Sequence, residues 1–348
     1  MMSNSVGVQD ERLSPRRDAG NAMLVLTRSQ IAGLLKFDEY VTVVGAAFRA
    51  HAEGCSIPPA LMHVSAPDGE FHIKAGGLLT PEPYFALKSN GGFFLNRERY
   101  GMPNIQGMVI LASASDGLPL AVMDSMEITI QRTGAATAIA ARYLARRDSS
   151  VVTICGCGNQ GRIQLRAICH SLPIRKAFAF GLTLEGSRAF ATAMSAELKI
   201  IVEATEDLPA ALRQSDVCVT CTPARKALIF AADVPRGMFL SAVGADSPDK
   251  QELDQHLLPL AGVYGDLLEQ CAQVGEFHHG IEHGLVTRED FRGELGALIA
   301  GTARGRTSAD EITIYDSTGT AIQDVAAAVA VYRKAKAAGI GTELDLAT

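Results

Sequence analysis

The sequence lacks the features that mark membrane or nucleic-acid-binding proteins. No apolar run reaches the roughly 18 residues that a bilayer-spanning helix needs. Basic residues are scattered and the net charge is −6, which argues against a nucleic acid or a membrane surface as a partner. The first 22 residues are polar and lack the apolar centre of a signal peptide, so we expect a disordered leader there.

Cysteine is also sparse, with seven residues in 348, and this predicts free thiols in a cytoplasmic protein. Cys218 and Cys221 have redox or metal spacing, but they lie in the apolar segment 217–221, which favours small core residues. A second candidate consists of three neighbouring histidines, His278, His279 and His283. Because no matched carboxylate or cysteine spacing accompanies the histidines, we interpret them as a solvated loop and expect no metal.

The length of the chain predicts two domains, since single hydrophobic cores stop growing at about 250–300 residues. Between residues 58 and 124, short apolar or alternating segments are separated by Gly, Pro and Asn, which predicts a mostly antiparallel sheet. Residues 126–147 then predict one Ala-rich helix. Residues 319–338 predict a final helix that no strand follows. Its wide apolar face is expected to pack back onto the first domain, which would make that domain discontinuous.

A glycine turn between a predicted strand and a predicted helix is the most informative segment. The apolar residues 151–155 lead into Gly156-x-Gly158-x-x-Gly161, and a helix-like segment follows over residues 160–171. In such a motif the first glycine allows the tight turn and the second lets the backbone approach a pyrophosphate. The third lets helix and strand pack closely, and the free N–H groups of the helix hold the phosphate charge. The segment predicts dinucleotide binding.

Strands and helices alternate after this turn. The predicted strands are residues 151–155, 177–181, 199–202, 217–220, 238–243, 262–264 and 311–315. This spacing fits βαβ units, so the fold class is α/β, with a Rossmann doubly wound parallel sheet and a second α+β domain.

The residue expected to contact the adenosine ribose does not decide between NAD and NADP. A Rossmann site usually has an acidic residue about 20 positions after the glycines, where it binds the ribose 2′-hydroxyl. Here that position is Gly181. Glu185 could reach the ribose instead, Arg188 could meet a 2′-phosphate, or the ribose site could be nonspecific. We therefore predict NAD or NADP without choosing between them.

Three charged residues are candidates for chemistry, each with a plainer alternative. Lys88 and Lys74 lie at the ends of apolar runs, where a buried lysine could polarise a carbonyl, imine or carboxylate, although surface lysines are common there. Asp246 follows residues 242–245, at the carboxyl end of a predicted parallel strand. It could be a general acid/base or an ordinary helix N-cap.

Several motifs together resemble those of the ornithine cyclodeaminase/mu-crystallin family over roughly residues 24–332. They are residues 116–121, 123–124, 128–129, 132–136, 156–161, 242–246 and 316–319, with Gln323 and Asp324. The resemblance implies a homodimer and a nicotinamide cofactor. It also implies a Rossmann domain over residues 126–321 and a substrate-binding/dimerisation domain over residues 23–125 and 322–348.

The resemblance also implies roles for individual residues. Asp246 matches the catalytic acid/base and Lys88 the active-site lysine. Arg132 matches an arginine near both cofactor and substrate, and Thr318 belongs to a motif at the substrate site. The implied cofactor contacts are Asn104, Arg132, Gly156, Gly158, Asn159, Gln160, Gly161, Thr222 and Lys250.

Two departures from the family pattern bear on the substrate. The family's Pro-Arg, whose arginine binds the substrate carboxylate, is replaced by Pro58-Pro59-Ala60, and its Glu-Leu-Met-Pro is replaced by residues 72–75. The lost glutamate is a partner for a second substrate amine, and the gained Lys74 could replace the arginine. We hypothesise that Lys74 and Lys88 together bind the carboxylate and that a diamino acid is not obligatory.

Three functions follow from this resemblance. The first is an ornithine-cyclodeaminase-like enzyme, which forms proline and ammonia through hydride transfer to and from the cofactor. The second is a net amino-acid dehydrogenase or a reductase of cyclic ketimines such as pyrroline-2-carboxylate. The third is a binding protein like mu-crystallin, which holds NADPH and a ligand, and the presence of both Lys88 and Asp246 argues against it.

Overall fold

The structure is a computed structural model that describes residues 22–346. The predicted leader lies outside the described residues except for Ala22, which begins the first strand. No helix in the described range is both long and apolar enough to cross a membrane. All seven cysteines lie within this range and are free thiols.

The first large sheet has seven strands and contains the antiparallel region predicted from the sequence. Its strands are β1 Ala22–Leu26, β2 Ser56–Ala66, β3 Gly69–Leu78, β4 Tyr84–Gly92, β5 Ile105–Ser113, β6 Pro119–Asp124 and β17 Thr342–Asp345. Their order is β17-β1-β6-β5-β4-β3-β2. Strands β2 to β6 form an antiparallel meander, and β1 runs parallel to β6.

The second large sheet has eight parallel strands in the order β15-β14-β16-β12-β10-β7-β8-β9. They are β7 Val151–Cys155, β8 Lys176–Phe180, β9 Ile201–Ala204, β10 Val217–Thr220, β12 Phe239–Ala242, β14 Ala261–Gly265, β15 Phe291–Glu294 and β16 Ile312–Asp316. Strands β11 Arg225–Ile229 and β13 Gln251–Leu253 form a separate parallel pair. The α/β fold class with a doubly wound sheet is confirmed. The strand order reverses between β7 and β10, the position at which such sheets bind ligands.

Helices cover the sheets and fill the space between them. They are α1 Arg28–Ile31, α2 Phe37–Ala52, α3 Asn96–Tyr100, α4 Ser125–Leu144, α5 Asn159–Ser171, α6 Leu184–Leu198, α7 Leu208–Leu212, α8 Leu268–Cys271, α9 Glu276–Glu282, α10 Leu295–Ala300 and α11 Ala321–Ala338. The alanine-rich α4 packs against α2, α5 and α11, because small side chains let helices approach closely. One hydrophobic core therefore runs continuously from the first sheet to the second.

The last helix behaves as its apolar face predicts, but the chain does not end its regular structure there. Helix α11 packs on strands β3 and β4 of the first sheet and on helix α2. The expectation that no strand follows is wrong, because β17 pairs antiparallel with β1. All four residues of β17 are exposed at the sheet edge, so the sequence shows no apolar alternation there.

The histidine segment also differs from its interpretation as a solvated loop. His278 and His279 lie in the short helix α9. His279 is buried, and its Nε2 lies 2.8 Å from the carbonyl oxygen of Lys250. The carboxylate of Glu282, one turn along the helix, comes within 3.7 Å of His278 Nε2.

Candidate functional site

A cavity of about 530 Å³ opens where the glycine turn of the second sheet faces the inner side of the first. Most of the predicted site residues line it, namely Lys74, Lys88, Asn104, Arg132, Gly158, Asn159, Gln160, Thr222, Asp246, Lys250 and Thr318. Gly156 and Gly161 do not line the cavity; they form the turn behind it. Residues that are up to 244 positions apart in the chain therefore share one site.

The glycine turn has the close approaches that its motif predicts. Gly156 has φ +113°, and a Cβ on Gly161 would lie 1.9 Å from the carbonyl oxygen of Gly156, so only glycine fits. A Cβ on Gly158 would meet nothing within 4 Å, which leaves open space before the first turn of α5. Gln160 Oε1 is buried there without a partner. Free helix N–H groups beside open space fit a pyrophosphate.

The neighbouring cofactor-side loops are held by one buried carboxylate, Glu252. Its oxygens accept hydrogen bonds from Thr222 N at 2.6 Å, Thr222 Oγ1 at 2.7 Å and Gly244 N at 2.8 Å. Burial raises the pKa of Glu252, although these donors oppose the shift. Cys221, interpreted from the sequence as a core residue, follows the end of β10 and lines the cavity.

The end of β8 carries no acidic side chain. A Cβ on Gly181 would lie 3.0 Å from Ser187 Oγ and 3.1 Å from Cys157 Sγ, so a larger residue would press on both. Glu185 and Arg188 are exposed near the start of α6. The geometry of this strand end is compatible with the ribose 2′-hydroxyl of NAD and with the 2′-phosphate of NADP.

Three buried cations and one carboxylate form what we call the buried cationic cluster: Lys74, Lys88, Arg132 and Asp324. Lys74 and Lys88 are directly opposite each other on β3 and β4, so their side chains leave the same face of the sheet. Lys88 Nζ lies 2.9 Å from Asp324 Oδ1 and 2.7 Å from Oδ2, and Arg132 Nε lies 3.0 Å from Oδ1. Each of the four residues is at most 4% exposed.

Burial dominates the electrostatics of the two lysines. Burial and the nearby Arg132 lower the pKa of Lys88 to about 7, while Asp324 opposes that shift. Burial also lowers the pKa of Lys74. The four side chains of the cluster carry a net positive charge when the lysines are protonated, and the carboxylates of Asp246 and Asp266 nearby also act on Lys74. A buried site of this kind favours an anionic ligand.

Lys74 is fixed by the backbone near the start of α11. Its Nζ donates to the carbonyl oxygens of Thr318 and Gly319, both at 2.8 Å. The N–H of Gly319 in turn donates to Asp266 at 2.6 Å, and Gln323 donates to the same carboxylate at 3.1 Å. The loop before α11 therefore positions one of the cations, and the other two ion-pair with Asp324 in its first turns.

A second group of charged residues extends from the cavity wall to β2 at the edge of the first sheet, and we call it the solvent-linked cluster: Asp246, Lys250, Glu70, His72 and His63. Lys250 Nζ lies 2.7 Å from Asp246 Oδ1 and 3.5 Å from Glu70 Oε1. Glu70 Oε1 lies 3.0 Å from His72 Nε2, and Glu70 Oε2 lies 3.0 Å from His63 Nε2. Acidic and basic groups alternate along this chain of contacts.

The charge of Asp246 is stabilised by its neighbours. Burial alone would raise the pKa of Asp246, but Lys250, His72 and Lys74 together lower it below its usual range. Burial would lower the pKa of Lys250, yet its two carboxylate partners, Asp246 first, raise it. The family resemblance implies a cofactor-side position for Lys250, and its contacts tie it to the acid/base candidate as well.

Two groups among residues 22–346 bring three possible metal-ligand atoms within 4.8 Å of one another. They are His63, Glu70 and His72, and His278, His279 and Glu282. The second group has the nearby carboxylate that the sequence spacing did not show. In the first group, the ammonium of Lys250 lies 3.5 Å from Glu70, which opposes a bound cation.

Sequence reasoning missed three residues that organise the site. In the sequence Asp324 is only one member of a motif, although its carboxylate joins Lys88 to Arg132. Glu252 and Glu70 do not stand out at all. A sign for Glu70 existed, because it lies two residues before His72 and therefore shares its face of β3. No local pattern identifies Glu252, whose partners lie in two other loops.

The fold and the cavity define a Rossmann-type α/β protein with a nucleotide-binding turn beside a cationic pocket. The chain belongs to the ornithine cyclodeaminase/mu-crystallin family, whose model matches residues 21–339. A putative dehydrogenase of Rhizobium meliloti is 38% identical over 93% of this chain and 99% of its own length. An alanine dehydrogenase of Archaeoglobus fulgidus is 36% identical over 92% of this chain and 98% of its own length.

Solved structures agree with this assignment. The structure of Thermococcus litoralis Δ1-pyrroline-2-carboxylate reductase with NADH and L-proline has a TM-score of 0.87 at 29% identity, covering 92% of this chain and all of that one. An archaeal alanine dehydrogenase dimer with bound NAD has a TM-score of 0.88 at 36% identity, covering 93% of this chain and 99% of that one. The alanine dehydrogenase and the pyrroline-2-carboxylate reductase are named for an amino acid and an imino acid, and the two structures contain a nicotinamide cofactor.

Proposed function

We propose that this protein is an NAD(P)-dependent enzyme that interconverts an α-amino acid and the corresponding imino acid. The observation that carries the proposal is the buried cationic cluster, which lies in the same cavity as the glycine turn and Asp246. Lys74, Lys88 and Arg132 can bind the carboxylate of the substrate. Its nitrogen would then face Asp246, and its α-carbon would face the cofactor.

The residues have distinct roles in this proposal. A nicotinamide cofactor bound at the glycine turn would supply the hydride acceptor in the oxidative direction and the hydride donor in the reductive direction. Asp246 accepts the proton of the substrate ammonium in the oxidative direction and returns it in the reductive direction. Lys88 and Lys74 orient the carboxylate, and Thr318 shapes the wall behind them.

The cofactor would lie along the second sheet. We assign it to Gly156, Gly158 and Gly161 at the turn, and to six further residues. These are Asn104, Arg132, Asn159, Gln160, Thr222 and Lys250. NAD is supported by the solved relatives, but Gly181 carries no side chain that would select NAD over NADP.

We further propose that the enzyme works as a cytoplasmic homodimer and that its domains follow the boundaries predicted from the sequence. Support for the dimer comes from the outer face of the first sheet, which exposes large apolar side chains. They include Met62, Val64, Phe71, Met108 and Ile110. Such a patch on one sheet face favours association.

A cyclodeaminase is the second candidate, and one observation favours it. The family's glutamate is absent at His72, but the carboxylate of Glu70 lies on the same strand face and lines the same cavity. It could bind a second substrate amine if Lys250 moved away. A diamino acid is therefore a possible substrate, although the partners that Glu70 already has weaken this alternative.

One experiment separates the candidates. Purified protein is incubated with ornithine and a catalytic amount of NAD, and proline, ammonia and NADH are measured. Proline and ammonia without accumulated NADH indicate a cyclodeaminase. With alanine, proline and other amino acids and stoichiometric NAD, accumulation of NADH supports a dehydrogenase, and the reverse assay uses the imino acids with NADH. Saturable cofactor binding with no turnover in any assay would contradict the proposal and favour a binding protein.

A further inference from the structure

The solvent-linked cluster connects the interior of the cavity with bulk water. The side chain of Asp246 is 36% exposed to the open cavity and that of His63 is 32% exposed at the surface, whereas those of Lys250 and Glu70 between them are only 9% and 11% exposed. His63 does not line the cavity; it lies on β2 at the edge of the sheet. The contacts from Asp246 to His63 therefore cross from the site to the surface.

We propose that Lys250, Glu70 and His63 form a proton relay between Asp246 and solvent. The inference rests on the proposed function, because interconversion of an amino acid and an imino acid moves one proton for each hydride. When substrate and cofactor fill the cavity, Asp246 needs another route to water. The three side chains provide a route through contacts of 2.7, 3.5 and 3.0 Å.

In the oxidative direction, an N–H bond of the substrate ammonium breaks and an O–H bond forms on Asp246. Lys250 gives one of its protons to Glu70 and takes the proton of Asp246, so it keeps its charge. Glu70 passes its proton to Nε2 of His63, which releases a proton to water from Nδ1. The α-carbon loses its hydrogen together with the electron pair of the C–H bond as hydride, which a bound nicotinamide cofactor would accept, and the reductive direction reverses every step.

The local geometry assigns different roles to the two histidines. His72 contacts Glu70 Oε1, the same oxygen that faces Lys250, and its Nδ1 is buried without a partner. It therefore positions the carboxylate but has no exit to water. His63 contacts the other oxygen, Oε2, and reaches the surface. Of the two, His63 alone has both the inner contact and the outer exposure that a terminal relay group needs.

Replacement of His63 tests the relay, because an exposed histidine can be changed with little risk to folding. His63→Gln keeps a polar side chain but cannot transfer a proton as imidazole does. We expect kcat to fall about tenfold, which is less than the loss expected for a group that exchanges protons directly with the substrate. We also expect the solvent deuterium isotope effect on kcat to increase. Added imidazole, which can reach the edge of β2, is expected to restore most of the lost rate.

His256→Gln is the matched control. His256 is also exposed and contacts an aspartate, Asp254, at 2.9 Å, but it does not line the cavity. This variant should keep the rate of the wild type and should not respond to imidazole. Glu70→Gln should lose rate as His63→Gln does but should not be rescued, because imidazole cannot replace an inner member.

The outcomes separate the relay from the function on which it rests. An active wild type with an unchanged His63→Gln variant would overturn the relay and leave the proposed function intact. A slow His63→Gln variant that imidazole does not restore would also overturn the relay, since the loss would then be structural. A wild type that turns over no amino or imino acid would overturn both.

Discussion

The two clusters in the cavity use similar residues for opposite purposes. In the buried cationic cluster, one carboxylate faces three cations, and burial lowers the pKa values of both lysines. In the solvent-linked cluster, acids and bases alternate, and the pKa of Asp246 is lowered while that of Lys250 is raised. The buried cationic cluster has more positive than negative side chains and little contact with water, which suits the binding of an anion. The solvent-linked cluster has alternating acids and bases and extends to the surface, which suits the transfer of a proton.

The strongest test of this contrast is Asp246→Asn. Asparagine keeps the size of the side chain but cannot accept the substrate proton. We expect kcat to fall about a thousandfold, within the range for loss of a general acid/base. Cofactor affinity, measured by fluorescence titration, should change little. If kcat stays within about threefold of the wild type, Asp246 is not the general acid/base of the reaction.

Lys74→Ala tests whether the buried cationic cluster binds the substrate carboxylate. The variant loses a charged contact to the substrate carboxylate, which is worth about 2 kcal/mol, or roughly thirtyfold in KM for the amino acid. The KM for the cofactor should change much less. Because Lys74 also holds the carbonyls of Thr318 and Gly319, the melting temperature should be measured in parallel. Equal changes in both KM values would contradict the carboxylate role.

Lys250→Gln tests whether the second cluster sets the charge of Asp246. Lys250 is the cation nearest to that carboxylate and lowers its pKa. Without it the pKa of Asp246 rises, so the proton occupies Asp246 at higher pH and the acid limb of kcat/KM for oxidation moves upward. The relay is also interrupted, and we expect about a tenfold loss at about pH 8. An acid limb that does not move would show that Lys250 has no control over Asp246.

The smallest expected effect concerns Asp324→Asn. The carboxylate of Asp324 opposes the fall in the pKa of Lys88, which is about 7. Its removal lowers that pKa further, so Lys88 loses its proton at lower pH. The alkaline limb of the kcat/KM profile therefore shifts to lower pH. A shift of about half a pH unit gives about a threefold loss at about pH 8 and little loss at about pH 5.5. Asp324→Glu, which retains the charge, is the control; a limb that is the same in all three proteins would exclude the pairing.

The sequence identifies the buried cationic cluster less completely than the glycine turn. Strand β7 and the turn follow from a continuous apolar run and three spaced glycines, and both have the predicted bounds. Lys74 and Lys88 are candidates in the sequence, but their pairing depends on the register of β3 and β4, which no local pattern specifies. Asp324, which pairs with Lys88 and Arg132, lies on a helix 236 residues after Lys88. Strand β17 is missed because an exposed polar edge strand lacks alternation.

The docking of Lys74 onto the carbonyls of Thr318 and Gly319 has a consequence for synthesis. On the ribosome, strands β1 to β6 of the first sheet and the glycine turn emerge long before the loop that holds this lysine. Until that loop arrives and α11 docks beside it, the ammonium has neither its acceptors nor its dry surroundings. A growing chain can thus acquire a nucleotide-binding turn well before it can recognise an amino acid, and competence for substrate comes as one of the last events of its maturation.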